Sequence, residues 1–488
     1  MTAGVNDRFD FAAPVPAAEE LGPVHFIAIG GSGMSGVARM YLARGTRVSG
    51  SDARDSATLR ELEREGATVY VGHDAAHLGD AQTVIVSSAV RDTNPELVAA
   101  RERGLRVLHR AQGIAALLPG RDAVAVAGAN GKTTTSAMLT VALQHCGADP
   151  SYVLGAPIAG GTNASLGSGS AFVVEADESD GSFLVYRPRV AVVTNIKPDH
   201  LDFYGDLAAI ERAFDAFAGT LRPGGLLVAS ADDPGARRLA CRVAERGGRV
   251  VTFGTSDGAD LRLSHVEGRG LRSRCRLTWT RDLDDVPSGT TAELDVPVPG
   301  RHNLLNAAAA LLAATAGLGH DPDRALAGLA SYPGTHRRFQ PVGTAGGVQV
   351  FDDYAHNPDK VAAVVQAGRA VAGERRLVVL FQPHLYTRTR DFAEEFAAGL
   401  AGADVVAVAD IYAAREDPLP GVTGELVVER LRGRKDFVGE VHYLPRREAL
   451  AHELAALVRP GDVVLTVGAG DVTTVGPELL TLLGEGEA

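Results

Sequence analysis

One strand–loop–helix junction restricts what this chain can fold into more than any other feature. The run AVAVAG (Ala123–Gly128) reads as a buried strand. It opens into Gly128-Ala129-Asn130-Gly131-Lys132-Thr133-Thr134-Thr135 and continues as the helical stretch TSAMLTVALQ. Glycines at such a junction let backbone N–H groups face phosphate oxygens at a helix N-terminus, where the helix dipole favours negative charge. In this arrangement Lys132 reaches the β- and γ-phosphates and the Thr133 hydroxyl holds Mg2+. The spacing G-x-x-G-K-T is two residues shorter than the common G-x-x-x-x-G-K-[ST] loop. An ATP-driven reaction is the expectation that follows.

Strand and helix alternate through most of the chain. VHFIAIG (Val24–Gly30) is a buried-strand run that enters Gly31-Ser32-Gly33-Met34-Ser35-Gly36 and then the helix VARMYLARG. RVSGSD (Arg47–Asp52), TVIVSSAV (Thr83–Val90) and LRVLHR (Leu105–Arg110) are further strands, and the alternation predicts a parallel, Rossmann-like sheet. A second series begins near Arg121 and includes AFVVEAD (Ala171–Asp177) and VAVVTNI (Val190–Ile196). After about Ser256 the pattern reads as antiparallel strands leading to the helix GRHNLLNAAAAL. A third block begins near His336 with strands GVQVFDDY, RRLVVLF, DVVAVAD and DVVLTVGAG. The 488 residues predict about three domains at roughly 150 residues each. The expected class is α/β, with an N-terminal Rossmann-like domain over 23–119, a central phosphate-loop ATP-binding α/β domain over 120–335, and a C-terminal Rossmann-like domain over 336–488. Residues 1–22, rich in Ala, Pro and acid, are expected to form a loose leader.

The net charge is −12, and no basic run is present, which argues against a nucleic-acid partner. Anionic nucleotides must then be met by local groups. Three widely spaced cysteines, Cys146, Cys241 and Cys275, fit neither a disulfide framework nor a zinc site. The N-terminus lacks a basic, apolar signal segment, and no apolar run reaches about 18 residues. A cytoplasmic protein without membrane insertion is expected.

Several motifs carry chemistry. Gly31–Gly36 satisfies G-x-G-x-x-G between a strand and a helix, and Asp52 follows at the distance of a ribose-binding acid. That loop alone would suit NAD; what it states is that a diphosphate meets a helix N-terminus. Glu175-Ala176-Asp177-Glu178-Ser179-Asp180 packs four carboxylates at a strand end, which is costly in self-repulsion unless cations bind. Asn195-Ile196-Lys197-Pro198-Asp199-His200-Leu201-Asp202 also follows a strand, and His200 joins Thr133 and Glu175 as a candidate metal ligand at the edge where open α/β sheets bind ligands. Asn303 and Asn306 share a helix face; their amides can pair with an adenine edge, or Asn303 can cap the helix. His336-Arg337-Arg338-Phe339 puts two cations at a domain junction. Phe351–Pro358 (FDDYAHNP) and Phe381–Arg390 (FQPHLYTRTR) bunch polar groups after strands of the last block, as at a substrate rim.

Together these motifs resemble the Mur ligase family. The ordered set of the glycine loop, GxxGKTTT, EADESD, NIxxDH, RHNxxN, RRFQ, FDDYxHxP, FQPHxYTRT and DIYAAREDP spans nearly the whole chain. EADESDGSF and FQPHLYTRTRDF are similar to the family's alanine-adding branch. Other branches carry a carbamylated lysine after the DHxD motif, whereas no lysine lies here between Lys197 and Lys360. The resemblance implies three substrates, UDP-N-acetylmuramate, ATP and L-alanine, with Mg2+ (or Mn2+) as cofactor, and a monomer or homodimer. It implies that Gly31, Ser32, Gly33, Met34, Ser35, Asp52, Ser87 and Ser88 bind the UDP-sugar. Gly128, Asn130, Gly131, Lys132, Thr133, Thr134, Asn303, Asn306, Arg337 and Asp352 would bind ATP. Thr133, Glu175 and His200 would hold the metal. Tyr354, His356, His384 and Arg388 would bind the amino acid, and Lys132, His356, Arg388 and Arg337 would be catalytic.

The chemistry so implied is amide synthesis through an acyl phosphate. Two positions depart from the family pattern: Ala129-Asn130 stand where Thr-His is usual, and Leu385 where Arg is usual. Two other readings remain open, a related ligase adding a peptide or another amino acid to the same UDP-sugar, and a non-catalytic nucleotide sensor.

Overall fold

The computed structural model describes residues 6–414 and 416–485. It holds three sheets, each flanked by helices. The first comprises β1 (Val24–Ile27), β2 (Val48–Asp52), β3 (Thr68–Val71), β4 (Thr83–Val86) and β5 (Arg106–His109), in the order β3-β2-β1-β4-β5 with every pairing parallel. Its central strands β1 and β4 are buried on both faces, which is why they read as unbroken apolar runs.

The second sheet is built on β6 (Asp122–Ala127), β7 (Ser151–Val153), β8 (Ala164–Ser165), β9 (Ala171–Glu175), β10 (Val190–Val193), β11 (Leu226–Ser230) and β12 (Arg249–Gly254). It continues through β13 (Leu261–Arg269), β14 (Arg272–Trp279) and β15 (Thr291–Val296), in the order β15-β14-β13-β12-β11-β10-β6-β9-β7-β8. β6 lies between β10 and β9, parallel to both. The loops leaving these three strands therefore open side by side at the carboxyl edge, where the strand order reverses. The third sheet holds β16 (Gln340–Ala345), β17 (Val348–Asp353), β18 (Leu377–Phe381), β19 (Val405–Ala409), β20 (Glu440–Leu444) and β21 (Val463–Val467), in the order β16-β17-β21-β18-β19-β20. β16 pairs antiparallel with β17, and all other pairings are parallel. The architecture is thus three-domain α/β.

By internal packing the chain forms two compact units. One holds residues 1–264, 276–294 and 305–333; the other holds residues 265–275, 295–304 and 334–488. Within the first unit one apolar cluster runs from Ala18 and Leu21 through Phe26, Tyr41, Phe172 and Phe214 to Val243, and another gathers Phe9 and Phe11 with Ile27, Val84 and Val86.

The loose leader expected over residues 1–22 is corrected for its described part. From Asn6 onward the segment is packed: Phe9 and Phe11 are 8% exposed, Ala18 3% and Leu21 fully buried. Burying each phenyl ring contributes about 2 kcal/mol, enough to hold a segment whose Pro and Ala content obscures it. Residues 1–5 lie outside the described chain, as does Arg415 of the DIYAAREDP motif.

Candidate functional site

The phosphate loop leaves β6 and enters the helix Lys132–His145. Two of its glycines are obligatory. Gly128 sits at φ +131°, and a Cβ there would lie 2.2 Å from Thr194 Oγ1. Gly131 sits at φ +91°, and its Cβ would lie 2.5 Å from Asn306 Oδ1. The second contact brings Asn306 to the loop; it shares the helix Arg301–Leu312 with Asn303, and both are buried. Asn303 lies inside that helix, not at its cap, and its amide donates to the Pro299 carbonyl at 2.7 Å.

The loop is held by residues not assigned from the sequence. The Asn130 N–H donates to Asn195 Oδ1 at 3.0 Å, and Asn195 Nδ2 donates back to the Asn130 carbonyl at 2.9 Å. The Thr194 hydroxyl donates to the same carbonyl at 2.6 Å. Position 130 is thus fixed through its backbone N–H and carbonyl. Asn195 and Thr194 sit in the segment after β10 that had been singled out for His200.

The four carboxylates after β9 diverge to separate partners, and this is how their mutual repulsion is met. Glu175 accepts the Thr133 hydroxyl at 3.0 Å and the Gly155 N–H at 2.7 Å. Glu178 takes the Lys132 ammonium on both oxygens at 2.9 Å; the side chains are 4% and 14% exposed. Burial alone would lower the Lys132 pKa, but Glu178, Asp177 and Glu175 raise it above its ordinary value, so it stays an ammonium. For Asp177, burial favours the neutral acid. The charge of Lys132 and the Ser179 N–H outweigh it and hold the carboxyl below its usual range. Asp180 accepts the Ser88 hydroxyl and lies 3.4 Å from His109 Nε2. The acid segment therefore ties the phosphate loop to the carboxyl edge of the first sheet.

At that edge the Gly30 N–H donates to Asp52 Oδ2 at 3.0 Å, so one oxygen of the expected ribose acid anchors the glycine loop. Met34 and Ser35 are each 3% exposed in the first turn of the helix Ser32–Ala43, and their N–H groups donate to the Gly31 carbonyl at 2.9 Å. Arg110 is a cation missed in the sequence: a Cβ on Gly33 would lie 2.4 Å from its Nη1, so its guanidinium rests against the loop. Ser87 and Ser88 follow β4 directly.

His200 takes the left-handed conformation, φ +53°, at the start of the short helix Leu201–Tyr204. It acts electrostatically on Asp177, and its Nε2 lies 3.9 Å from Asp199 Oδ1. Among the described residues, no group of three or more His, Cys, Asp or Glu side chains is placed to hold a metal ion. The pair Thr133–Glu175 still suits Mg2+, which keeps several waters and phosphate oxygens and needs only one or two protein oxygens.

In the second unit the expected amino-acid residues gather at the carboxyl edge of the third sheet. The His356 ring lies 5.2 Å from Tyr354 and 5.9 Å from His384, and Arg388 Nη1 donates to the His356 carbonyl at 3.5 Å. His356 Nδ1 is 2.9 Å from the Tyr354 carbonyl, which can only accept, so Nδ1 carries the hydrogen and Nε2 the lone pair. Burial, then the charges of Lys360 and Arg388, hold its pKa well below the ordinary value, and the ring is neutral. Asp352, expected at ATP, is corrected: it is 2% exposed, and Thr466, Thr473 and Arg337 engage its carboxylate. Arg337 also donates to the Gly468 and Gly470 carbonyls and lies 4.8 Å over the Tyr354 ring. Arg337 (φ +57°) and Leu385 (φ +73°) join His200 as non-glycine residues at positive φ, strain that concentrates in the loops expected to be functional.

Comparison with known proteins identifies the family. The Mur ligase family catalytic-domain model matches residues 23–121, the middle-domain model 126–314, and the Mur ligase, glutamate ligase domain model 337–470. The chain is 53% identical over 475 residues to a UDP-N-acetylmuramate–L-alanine ligase of Thermobifida fusca, covering 96% of this chain and 98% of that protein. It is 54% identical over 477 residues to that of Kineococcus radiotolerans, covering 97% and 98%. The crystal structure of the UDP-N-acetylmuramate-alanine ligase of Thermotoga maritima superposes with a TM-score of 0.78 at 29% identity, covering 95% of this chain and 99% of that one. With three consecutive domain matches and relatives this similar along nearly their whole length, the chain belongs to the Mur ligase family.

Proposed function

We propose that this chain is an ATP-dependent ligase that joins L-alanine to the lactyl carboxylate of UDP-N-acetylmuramate, giving ADP and phosphate, in peptidoglycan precursor synthesis. One observation carries the reading. A single acid segment, Glu175–Asp180, engages the phosphate-loop Lys132 at Glu178 and the first sheet's edge at Asp180. A sugar nucleotide lying on Gly31–Gly33 and Arg110 would then extend towards a triphosphate lying on Gly128–Thr134. The relatives' names supply UDP-N-acetylmuramate and L-alanine as the two molecules joined.

The lactyl carboxylate attacks the γ-phosphorus, the bond to the ADP oxygen breaks, and an acyl phosphate forms. The alanine nitrogen attacks the acyl carbon, the bond to the phosphate oxygen breaks, and the amide remains. Lys132, fixed as an ammonium, offsets the crowding of carboxylate against triphosphate once it exchanges Glu178 for phosphate oxygens. Thr133, Glu175 and His200 would hold Mg2+, and the ion would supply charge neutralisation at the phosphates. Asn303 and Asn306 would meet adenine. Arg388, His384 and Tyr354 would hold the alanine, and Arg337 would orient Tyr354 beneath it. His356 Nε2, which carries the lone pair, is the candidate acceptor for the amine proton.

Mass analysis of the product from UDP-N-acetylmuramate, ATP and L-alanine tests the reading. A UDP-sugar heavier by one alanyl residue, formed with one ADP, is expected. Product with a tripeptide and none with alanine would replace it with a peptide-adding ligase.

A further inference from the structure

The segment before β1 crosses from the first sheet to the acid segment. Arg8 Nη1 donates to the Ser88 carbonyl at 3.2 Å, and its Nε pairs with Asp92 at 3.1 Å. Asn6 Nδ2 donates to the Asp180 carbonyl at 3.3 Å. Gln112 Nε2 donates to the Asp10 carbonyl at 3.0 Å, and Arg187 Nη2 to the Ala12 carbonyl at 3.2 Å. The Phe9 and Phe11 rings lie 5.1 Å and 5.3 Å from the His109 ring, one tilted and one edge-on.

These contacts enclose a polar triad. His109 Nδ1 accepts the Ala111 N–H at 3.2 Å, so Nε2 carries the hydrogen and faces Ser88 Oγ at 3.0 Å. The Ser88 hydroxyl in turn donates to Asp180. In this hydrogen-bond direction His109 cannot take the Ser88 proton, so the triad is a latch and not a nucleophile with its base.

We propose that Asn6–Phe11 is a positioning strap for the sugar-nucleotide site: it walls in His109 and keeps Ser88, His109 and Asp180 joined, and so holds Ser88 in place at the edge of the first sheet. This rests on the assignment of the first sheet's edge to the UDP-sugar. The strap precedes residue 23, where the family's first domain match begins. The groups facing His109 are Asp180, Arg110, Asp177 and Arg8. Burial, with Arg110 and Arg8, outweighs the two carboxylates and lowers its pKa to about 4.

The test compares the full-length enzyme with a Phe9→Ala/Phe11→Ala pair and a Phe9→Leu/Phe11→Leu pair. KM for each substrate, kcat, and the NMR titration of the His109 imidazole are measured. The alanine pair is expected to raise KM for UDP-N-acetylmuramate on the order of tenfold, since small misplacements of a positioned substrate are costly, with KM for ATP and kcat little changed. Its His109 should titrate nearer the ordinary value of about 6.5. The leucine pair, which keeps the wall apolar, should restore both. A folded alanine pair with unaltered KM and an unaltered His109 titration overturns the strap. So does a uniform loss in all parameters that leucine does not rescue. If the unaltered enzyme does not turn over the UDP-sugar, the ligase reading fails, and the imidazole titration still decides whether the strap holds the latch.

Discussion

Lys132 Nζ lies 2.9 Å from both carboxylate oxygens of Glu178 and 2.9 Å from the Gly128 carbonyl, a contact that spans 46 residues of sequence to Glu178. The loop proposed to receive phosphate is thus closed on an internal carboxylate. Removing Lys132 leaves that carboxylate buried and uncompensated, which costs about 3–5 kcal/mol. Lys132→Ala is expected to abolish phosphate release and lower the urea midpoint. Adding Glu178→Gln should recover much of the stability and none of the activity. Equal stability of Lys132→Ala and the unaltered protein would show that the pair does not hold the acid segment.

The two glycines of the loop differ from glycines that merely turn the chain. Gly131→Ala meets both a positive φ and Asn306 Oδ1 at 2.5 Å. Gly45 also has positive φ, +78°, but has nothing within 4 Å of an added Cβ. Gly45→Ala is expected to cost about 1 kcal/mol of stability and leave ATP affinity alone. Gly131→Ala should weaken ATP binding on the order of a hundredfold. Calorimetric titration with ATP separates them, and equal affinities would remove Asn306 from the nucleotide site.

Asn195 braces the loop by a reciprocal pair of hydrogen bonds with the Asn130 backbone. Asn195→Ala removes the side-chain acceptor of the part-buried Asn130 N–H and one of the two donors to its carbonyl, which keeps Thr194, a loss of about 1–2 kcal/mol. KM for ATP should rise about tenfold, whereas Asn130→Ala, which keeps the backbone, should change it little. The reverse order would place the Asn130 side chain at the phosphates.

The first domain contains an acid-labile core. Glu96 is fully buried and receives Ser51 Oγ at 2.5 Å and His77 Nδ1 at 3.0 Å, with His25 Nε2 at 3.5 Å. Burial alone would raise its pKa; the hydrogen bonds from His25, Ser51 and His77 outweigh it and lower the value from 4.5 to about 2. A depressed carboxyl stabilises the fold above its unfolded pKa. That stability, on the order of 3 kcal/mol, is lost as pH falls from 4.5 towards 2. Urea midpoints measured down this range should fall steeply, and Glu96→Gln should start lower and fall less. Parallel curves would contradict the assignment.

The parts of the site legible in the sequence are those whose chemistry dictates local spacing. Gly128, Gly131, Lys132 and Thr133 must stand in fixed register for a helix N-terminus to meet phosphate, so they announce themselves. Glu178, Asn195 and Arg110 act through contacts 46, 65 and 77 residues away in sequence, on Lys132, Asn130 and Gly33. No local period encodes such pairings. Asp352 looked like a ligand because it follows a strand beside Asp353, but its burial under Arg337 is a tertiary fact. The N-terminal segment was misread because composition averages over Pro and Ala, while two phenyl rings decide where it lies.

Phosphate release from ATP and Mg2+, with UDP-N-acetylmuramate and L-alanine supplied singly and together, tests the account most directly. Release that needs both is the predicted result, with glycine, serine and tripeptide slower than alanine. Release indifferent to the sugar nucleotide, or absent with both substrates present, would contradict it.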